Sequence, residues 1–280
     1  MSEPHLDFSI ITPSRNYGDY IGDCLESVAL QKGVTFEHLV IDCVSTDHTC
    51  EIVKDYPHAF FSSEKDEGMS EGINRGFRLA KGKWVMWLNA DDRLKPGALA
   101  EVKEFAEKNS ELDVIYGGWD FVDGSLSLIK MMNVFPLRKI MLAQMGCYIG
   151  STACFYRKET TLDKGYLLNG DFHYVMDGEY YSRLAADGKI FGYLPVRLAD
   201  FRLHDGNQSL RNYKTSGVSG QLRFENQLAE SRAIRRVYGV KGLSNPYLND
   251  ILDACLYFWF RIVKATLKLR YRKNLRLPRK

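Results

Sequence analysis

Two kinds of hydrophobic pattern alternate from the start of this chain to about Tyr116, and that alternation restricts its fold more than any other feature. Phe8–Thr12 is an apolar run that stops at Pro13, as a buried strand does. Tyr17, Tyr20, Ile21, Cys24, Leu25 and Val28 then recur at helical spacing. His38–Asp42 reads as a second strand, and Ser45, Thr46 and Asp47 suit the cap of a short helix near Cys50–Val53. Phe60 and Phe61 mark a third strand; Met69, Ile73, Phe77 and Ala80 mark a helix; Trp84–Leu88 is the most hydrophobic strand. Pro96 opens a helix carrying Leu99, Val102 and Phe105, and Asp113–Tyr116 returns to strand. Strands separated by helices predict an α/β fold, a mostly parallel sheet with helices on both faces in a Rossmann-like arrangement. After about Gly124 the alternation weakens, which divides the chain into 1–124, 125–215 and a helical extension over 216–280.

In such sheets ligands gather outside the carboxyl ends of the strands. The polar segments after three strands are therefore the first candidates: Thr12–Asn16, Asp42–Asp47 and Asn89–Asp92. Trp87–Asp92 is the sharpest of them. Two adjacent carboxylates after an apolar strand repel one another unless solvent or a cation neutralises them. A hard divalent ion held by one or two carboxylates and diphosphate oxygens fits, and so does a solvated turn leading into the helix at Pro96.

Other classes lack their signatures. The cysteines (Cys24, Cys43, Cys50, Cys147, Cys154, Cys255) form no CxxC pair, so neither a structural zinc site nor a disulfide framework is expected. No G-x-G-x-x-G follows the first strand, against a nicotinamide dehydrogenase. Thr12–Tyr17 offers only Arg15 to a triphosphate, against a nucleotidyltransferase. No apolar run follows the start and no stretch reaches the roughly 18 apolar residues of a membrane span. The reading is a chain without a signal peptide in a reducing, cytoplasmic compartment. Arg261–Lys280 holds nine Lys/Arg and no acid, which leaves residues 1–260 at −6 within a net charge of +3. Few aromatic residues interleave with that basic tail, so nucleic acid is not the expected partner.

In order, these segments resemble the family 2 glycosyltransferases of the GT-A fold. The likeness runs through Ser9–Asn16, Val40–Thr49, Ser63–Gly68, Asn74–Gly76, the acidic motif, Met176–Glu179 and Phe201–Ser209. It implies a transferase that moves a sugar from a nucleoside-diphosphate donor, a UDP-sugar in many members, to a hydroxyl acceptor in cell-surface glycan synthesis. Residues 1–124 would then bind the nucleotide-sugar and 125–215 the acceptor. The resemblance assigns Thr12, Pro13, Asp42, Asp66 and Asn89 to the nucleotide-sugar and Asp91, Asp92 and His204 to a divalent metal. Asp177 would be the general base, with Glu179 beside it on the acceptor side. One base and no enzyme nucleophile gives inversion at the anomeric carbon. An imidazole ligand suits Mn²⁺ better than Mg²⁺. Asn89 stands where the family's first Asp is usual, and Cys43 and Val44 replace residues that are often acidic and Gly. These departures keep open a catalytically inactive nucleotide-binding subunit.

At the other end, Leu248, Ile251, Leu252, Cys255, Leu256, Trp259, Ile262, Val263 and Leu267 share one helical face, with Asp253, Tyr257, Arg261, Lys264 and Lys268 opposite. Two readings stand together. One is an interfacial helix on an anionic membrane at the inner face of the cell, where a lipid-linked acceptor would lie. The other is a helix packed on the body with a basic end.

Overall fold

A computed structural model describes residues 6–132, 134–207, 218–239, 246–271 and 275–278. Its first half is built as the sequence pattern requires. Strands β1 (Phe8–Ser14), β2 (Phe36–Asp42), β3 (Ala59–Ser63) and β4 (Trp84–Trp87) are linked by helices α1 (Gly18–Ala29), α2 (Thr49–Lys54) and α3 (Met69–Leu79). All four strands run parallel in the order β3-β2-β1-β4.

The second half differs in strand direction. After β5 (Arg93–Leu94) and α4 (Ala98–Lys108) come β6 (Val114–Val122), β7 (Leu128–Met132), α5 (Lys139–Met145), β8 (Cys154–Arg157), α6 (Met176–Ala186) and β9 (Phe191–Arg202). The sheet continues from β4 through β8, β6 and β9 to β5, with β7 beside β6. Only β6–β9 is parallel here; β4–β8, β6–β8, β6–β7 and β5–β9 are antiparallel. Parallel neighbours need a crossover, usually a helix. Where the helical crossovers thin out after Gly124, strands return antiparallel instead. The sheet is therefore mixed, and it runs unbroken past residue 124.

Successive side chains on these strands feed two cores. Ile11, Val85, Trp87, Tyr116 and Tyr156 face α3 and α6, where they meet Ile73, Phe77, Tyr180, Tyr181 and Leu184. Phe8, Ile10, Met86, Ile115 and Phe155 face the other side, against Cys24 and Val28 of α1 and Leu99 and Val102 of α4. Apolar residues at every position are what a sheet covered on both faces demands. Trp87 stacks on Tyr156 with ring centroids 5.5 Å apart. Burying each such side chain contributes about 1.5–3 kcal/mol.

Close approaches explain part of the sequence pattern. A Cβ on Gly76 would lie 2.4 Å from Ile11 Cγ2, so glycine lets α3 settle on β1. Asn74 clamps the Leu168 backbone in both directions, donating to its carbonyl (3.0 Å) and accepting from its N–H (2.9 Å). Asp47, read as a cap, accepts from Thr49 N–H at 3.0 Å and Gly18 N–H at 2.9 Å, tying the starts of α2 and α1 together.

Two helices follow β9, α7 (Val218–Tyr238) and α8 (Pro246–Tyr271). The single apolar stripe expected on α8 is in fact two faces. Leu256, Val263, Leu267 and Tyr271 pack on the core. Cys255, Phe258, Trp259, Ile262 and Leu269 are exposed. Side chains of Leu248, Ile251, Leu252 and Tyr257 lie outside the described residues. Nor is the basic end wholly unpaired: Arg276 forms two contacts of 2.8 Å to the Glu101 carboxylate and pairs its backbone with β9 beside Val196. No helix among the described residues is long and apolar enough to cross a membrane.

Candidate active site

The parallel strands β1–β4 and β9, which runs in the same direction, end on one side of the sheet. The loops there enclose a cleft of about 500 Å³. Pro13, Asp66, Asn89, Asp91 and Asp177 all line it, so the fold brings together five of the ten sequence-named site residues from four separate segments.

Asp91 is buried, and its Oδ2 accepts from His204 Nε2 at 3.0 Å and from Asn207 Nδ2 at 2.7 Å. Gly206 N–H donates to His204 Nδ1, which places the imidazole proton of a neutral ring on Nε2, toward Asp91. Tyr20 covers the imidazole with ring centroids 4.1 Å apart. Asn89 donates its Nδ2 to Asp92 Oδ2 at 3.1 Å, so its Oδ1 is fixed in the cleft wall, buried and unpartnered. Ser14 Oγ, in the same wall, is also buried without a partner. Asp177 lies in the first turn of α6, where its Oδ1 accepts from Gly178 N–H at 2.7 Å. Burial pushes its carboxyl above the ordinary value.

Five of the residues named from sequence sit elsewhere, each for a reason in the backbone. Thr12 alternates away from Pro13 onto the α1 side, where its hydroxyl bonds His38 Nε2 at 2.8 Å. Burial holds that histidine neutral, with its pKa pushed down to about 3. Asp42 is saturated by Ser45 N–H (2.9 Å), the Ser45 hydroxyl and Ser63 Oγ (2.6 Å), so it braces the loop whose Cys43 does line the cleft. Asp92 points away from Asp91 into the protein, accepting from Arg202 N–H at 3.0 Å. Burial raises its carboxyl well above the usual range, and Asp91 beside it adds to the effect. Glu179 is two residues past Asp177, nearly opposite on the helix; it is buried on Arg183 (2.8 Å) and Tyr238 (3.2 Å). His204 stands behind Asp91 rather than in the cleft lining.

His173, Tyr174, Ser151 and Asn207 line the cleft and were given no role from sequence. Asn207 lies three residues after His204 within the Phe201–Ser209 stretch of the family likeness, the one signal that marks it. His173 and Tyr174 belong to a loop without periodicity.

A divalent cation fits this arrangement through few protein atoms. Asp91 lines the cleft and His204 Nε2 donates to it at 3.0 Å, so an ion held by both would replace that hydrogen bond. Among the described residues no three His, Cys, Asp or Glu side chains gather to hold a metal by themselves. Substrate oxygens would have to complete the shell, as Mg²⁺-type sites commonly require.

Known proteins place the chain. A "PGL/p-HBAD biosynthesis glycosyltransferase" of Mycobacterium bovis is 31% identical over 157 residues, 54% of this chain and 59% of that protein. Chondroitin synthase of Escherichia coli is 24% identical over 91% of this chain but only 36% of its own length. The chain thus spans less than two thirds of the length of either relative. Among solved structures, S. aureus TarS 1-349 in complex with UDP-GlcNAc has a TM-score of 0.63 at 18% identity, covering 84% of this chain and 74% of that one. The Pyrobaculum calidifontis mannosyltransferase PcManGT, in complex with GDP-Man and Mn²⁺, has a TM-score of 0.55 at 16% identity, covering 97% and 83%. These two share the fold. Residues 9–165, more than half of the chain, match the family model for glycosyl transferase family 2, and the chain belongs to that family.

Proposed function

We propose that the chain is an inverting glycosyltransferase acting in cell-surface glycan synthesis, moving a sugar from a UDP-sugar to a hydroxyl acceptor. The observation that carries this is one cleft lined both by Asp91, fixed by His204 and Asn207, and by Asp177, whose basicity burial increases. TarS with UDP-GlcNAc and PcManGT with GDP-Man support a nucleotide-sugar as the donor.

Asn89 Oδ1 and Ser14 Oγ, buried and unpartnered, meet hydroxyls of the donor, since an unmet buried polar atom costs about 1–3 kcal/mol. Pro13 and Asp66 line the same pocket. Asp91 and His204 would hold Mn²⁺ or Mg²⁺, and such an ion supplies charge stabilisation for a departing diphosphate. Ligation by His204 Nε2 requires its proton to leave that nitrogen, so Gly206 N–H must release Nδ1. Asp91 is engaged by two side chains, whereas burial raises the basicity of Asp177, so Asp177 takes the acceptor proton. A single displacement with that one base inverts the anomeric carbon. The test is turnover of UDP-N-acetylglucosamine, other UDP-sugars and GDP-mannose with Mn²⁺. Absence of hydrolysis or transfer with every donor would leave a nucleotide-binding subunit instead.

The reading extends to where the acceptor lies, an anionic membrane at the cytoplasmic face of the cell. The second apolar face of α8 is exposed, with Phe258 at 68% and Leu269 at 69%, and Arg261 and Arg270 flank it. Each cation near such a surface contributes about 1 kcal/mol. Co-sedimentation with phosphatidylglycerol vesicles should be lost in Phe258→Ser/Leu269→Ser; a wild-type protein left in the supernatant at low salt would refute attachment.

A further inference from the structure

The first turn of α6 carries Asp177, and the N–H groups leading into it have no intrahelical acceptors. Residues 173–175 precede the helix, where N–H groups lack intrahelical partners. A side chain from α7 meets all three. Glu230 Oε1 accepts from His173 N–H at 3.0 Å, and Oε2 accepts from Tyr174 N–H at 2.9 Å and Val175 N–H at 3.1 Å. The negative carboxylate also sits where the helix dipole favours it.

The contact is one of three on a single face of α7. One turn beyond Glu230, Ile234 is buried against Gly178, whose Cβ position lies 3.8 Å from Ile234 Cδ1. Another turn on, the Tyr238 hydroxyl donates to Glu179 Oε1 at 3.2 Å. Residues at i, i+4 and i+8 share a helix face. All three therefore grip the segment from His173 to Glu179, on both sides of Asp177. That segment lies outside the matched stretch 9–165, as does α7.

We propose that Glu230 is a positioning residue for the acceptor side of the cleft, and that α7 is a splint holding His173, Tyr174 and Asp177 in place. The proposal rests on Asp177 being the acceptor-side base. Without the Glu230 carboxylate, three adjacent amides lose their acceptors together. The loop that sets the direction of α6 is then free to shift, while Asp91, Asn89 and Pro13 keep their own supports in β1, β4 and β9.

The test uses the full chain as Glu230→Ala and Glu230→Gln. Amide hydrogen exchange should rise about tenfold or more at residues 173–175 in Glu230→Ala, with the peptide covering Trp84–Asp92 unchanged. UDP affinity in the presence of Mn²⁺ should stay within about twofold of wild type, whereas turnover of the UDP-sugar should fall about 10- to 100-fold, the loss typical of a misplaced reacting group. Glu230→Gln keeps one acceptor oxygen, which can still serve Tyr174 and Val175 N–H while its NH₂ group cannot accept from His173 N–H, and should recover part of both losses. Unchanged exchange at 173–175 in Glu230→Ala overturns the proposal. So does a uniform loss of UDP affinity, exchange protection and turnover that the glutamine does not repair, because that is general destabilisation. Exchange is read without any sugar, so failure of the splint and failure of the glycosyltransferase reading are told apart.

Discussion

Replacing Asp92 separates a metal ligand from a brace. In Asp92→Ala the buried Arg202 N–H loses its acceptor at 3.0 Å and Asn89 Nδ2 loses its acceptor at 3.1 Å. Each unmet buried donor costs about 1–3 kcal/mol. Part is recovered, because a carboxylate whose ionisation is opposed by burial and by Asp91 has been removed. The net expectation is a loss of about 2–3 kcal/mol, or about 4–12 °C in Tm at about 2–4 °C per kcal/mol. Asp92→Asn should lose about 1 kcal/mol or less. Its amide oxygen still accepts from Arg202 N–H, and the Asn89 amide can turn so that its unpartnered Oδ1 meets the new NH₂ group. The pH dependence has a definite sign. A raised folded-state pKa means that the Asp92 contribution to stability is full below its unfolded-state pKa and is lost as pH rises through the folded value. Asp92→Asn has no such loss, so its stability relative to wild type should improve from acid toward neutral pH. Thermal unfolding by circular dichroism from pH 5 to 8 reads all of this. An unaltered Tm for Asp92→Ala would refute the brace. Loss of Mn²⁺-dependent UDP binding in a stable Asp92→Asn would return Asp92 to the metal.

Asp177→Asn should lower transfer about 10²- to 10⁴-fold while UDP affinity is kept, as initial rates beside calorimetry would show. Because burial raises the Asp177 carboxyl, the wild-type rate should fall with decreasing pH through a value above 3.8, and a limb at or below that value would contradict it. Glu179→Gln, which weakens only the Arg183 and Tyr238 contacts, should lower Tm more than it alters the pH profile. Val44, a β-branched residue at φ 50°, should yield about 1 kcal/mol of stability on Val44→Asn, since left-handed backbone costs such a side chain about 1–2 kcal/mol; denaturant midpoints would measure it.

Strands β1, β2, β4 and β6 were legible because burial on both faces writes apolar runs into the sequence, and β3 showed through Phe60 and Phe61; the two-residue β5 left no such run. The direction of individual side chains was legible only in part. Thr12 against Pro13 follows from strand alternation, and Asp177 against Glu179 from about 100° per helical residue, so elementary periodicity separates those pairs. Asp91 and Asp92 stand in a turn, where no period applies, and only Arg202 arriving from β9 decides which of them faces inward. The Asn74–Gly76 segment carries part of the family likeness, and the structure gives it packing work: Asn74 clamps Leu168 and Gly76 admits Ile11. Glu230 carried no local signal at all, since a carboxylate on a polar helix looks solvated until its partners at 173–175 are brought to it.

Calorimetric titration of UDP, with and without Mn²⁺, into wild type and Asp91→Asn tests the central assignment most directly. Asp91 is the one carboxylate of the acidic motif that lines the cleft, with His204 and Asn207 set to hold it. Mn²⁺ should strengthen UDP binding to wild type at least about tenfold, worth about 1.4 kcal/mol, and Asp91→Asn should abolish that gain while its thermal unfolding stays close to wild type. Equal UDP affinity in all four titrations would contradict it.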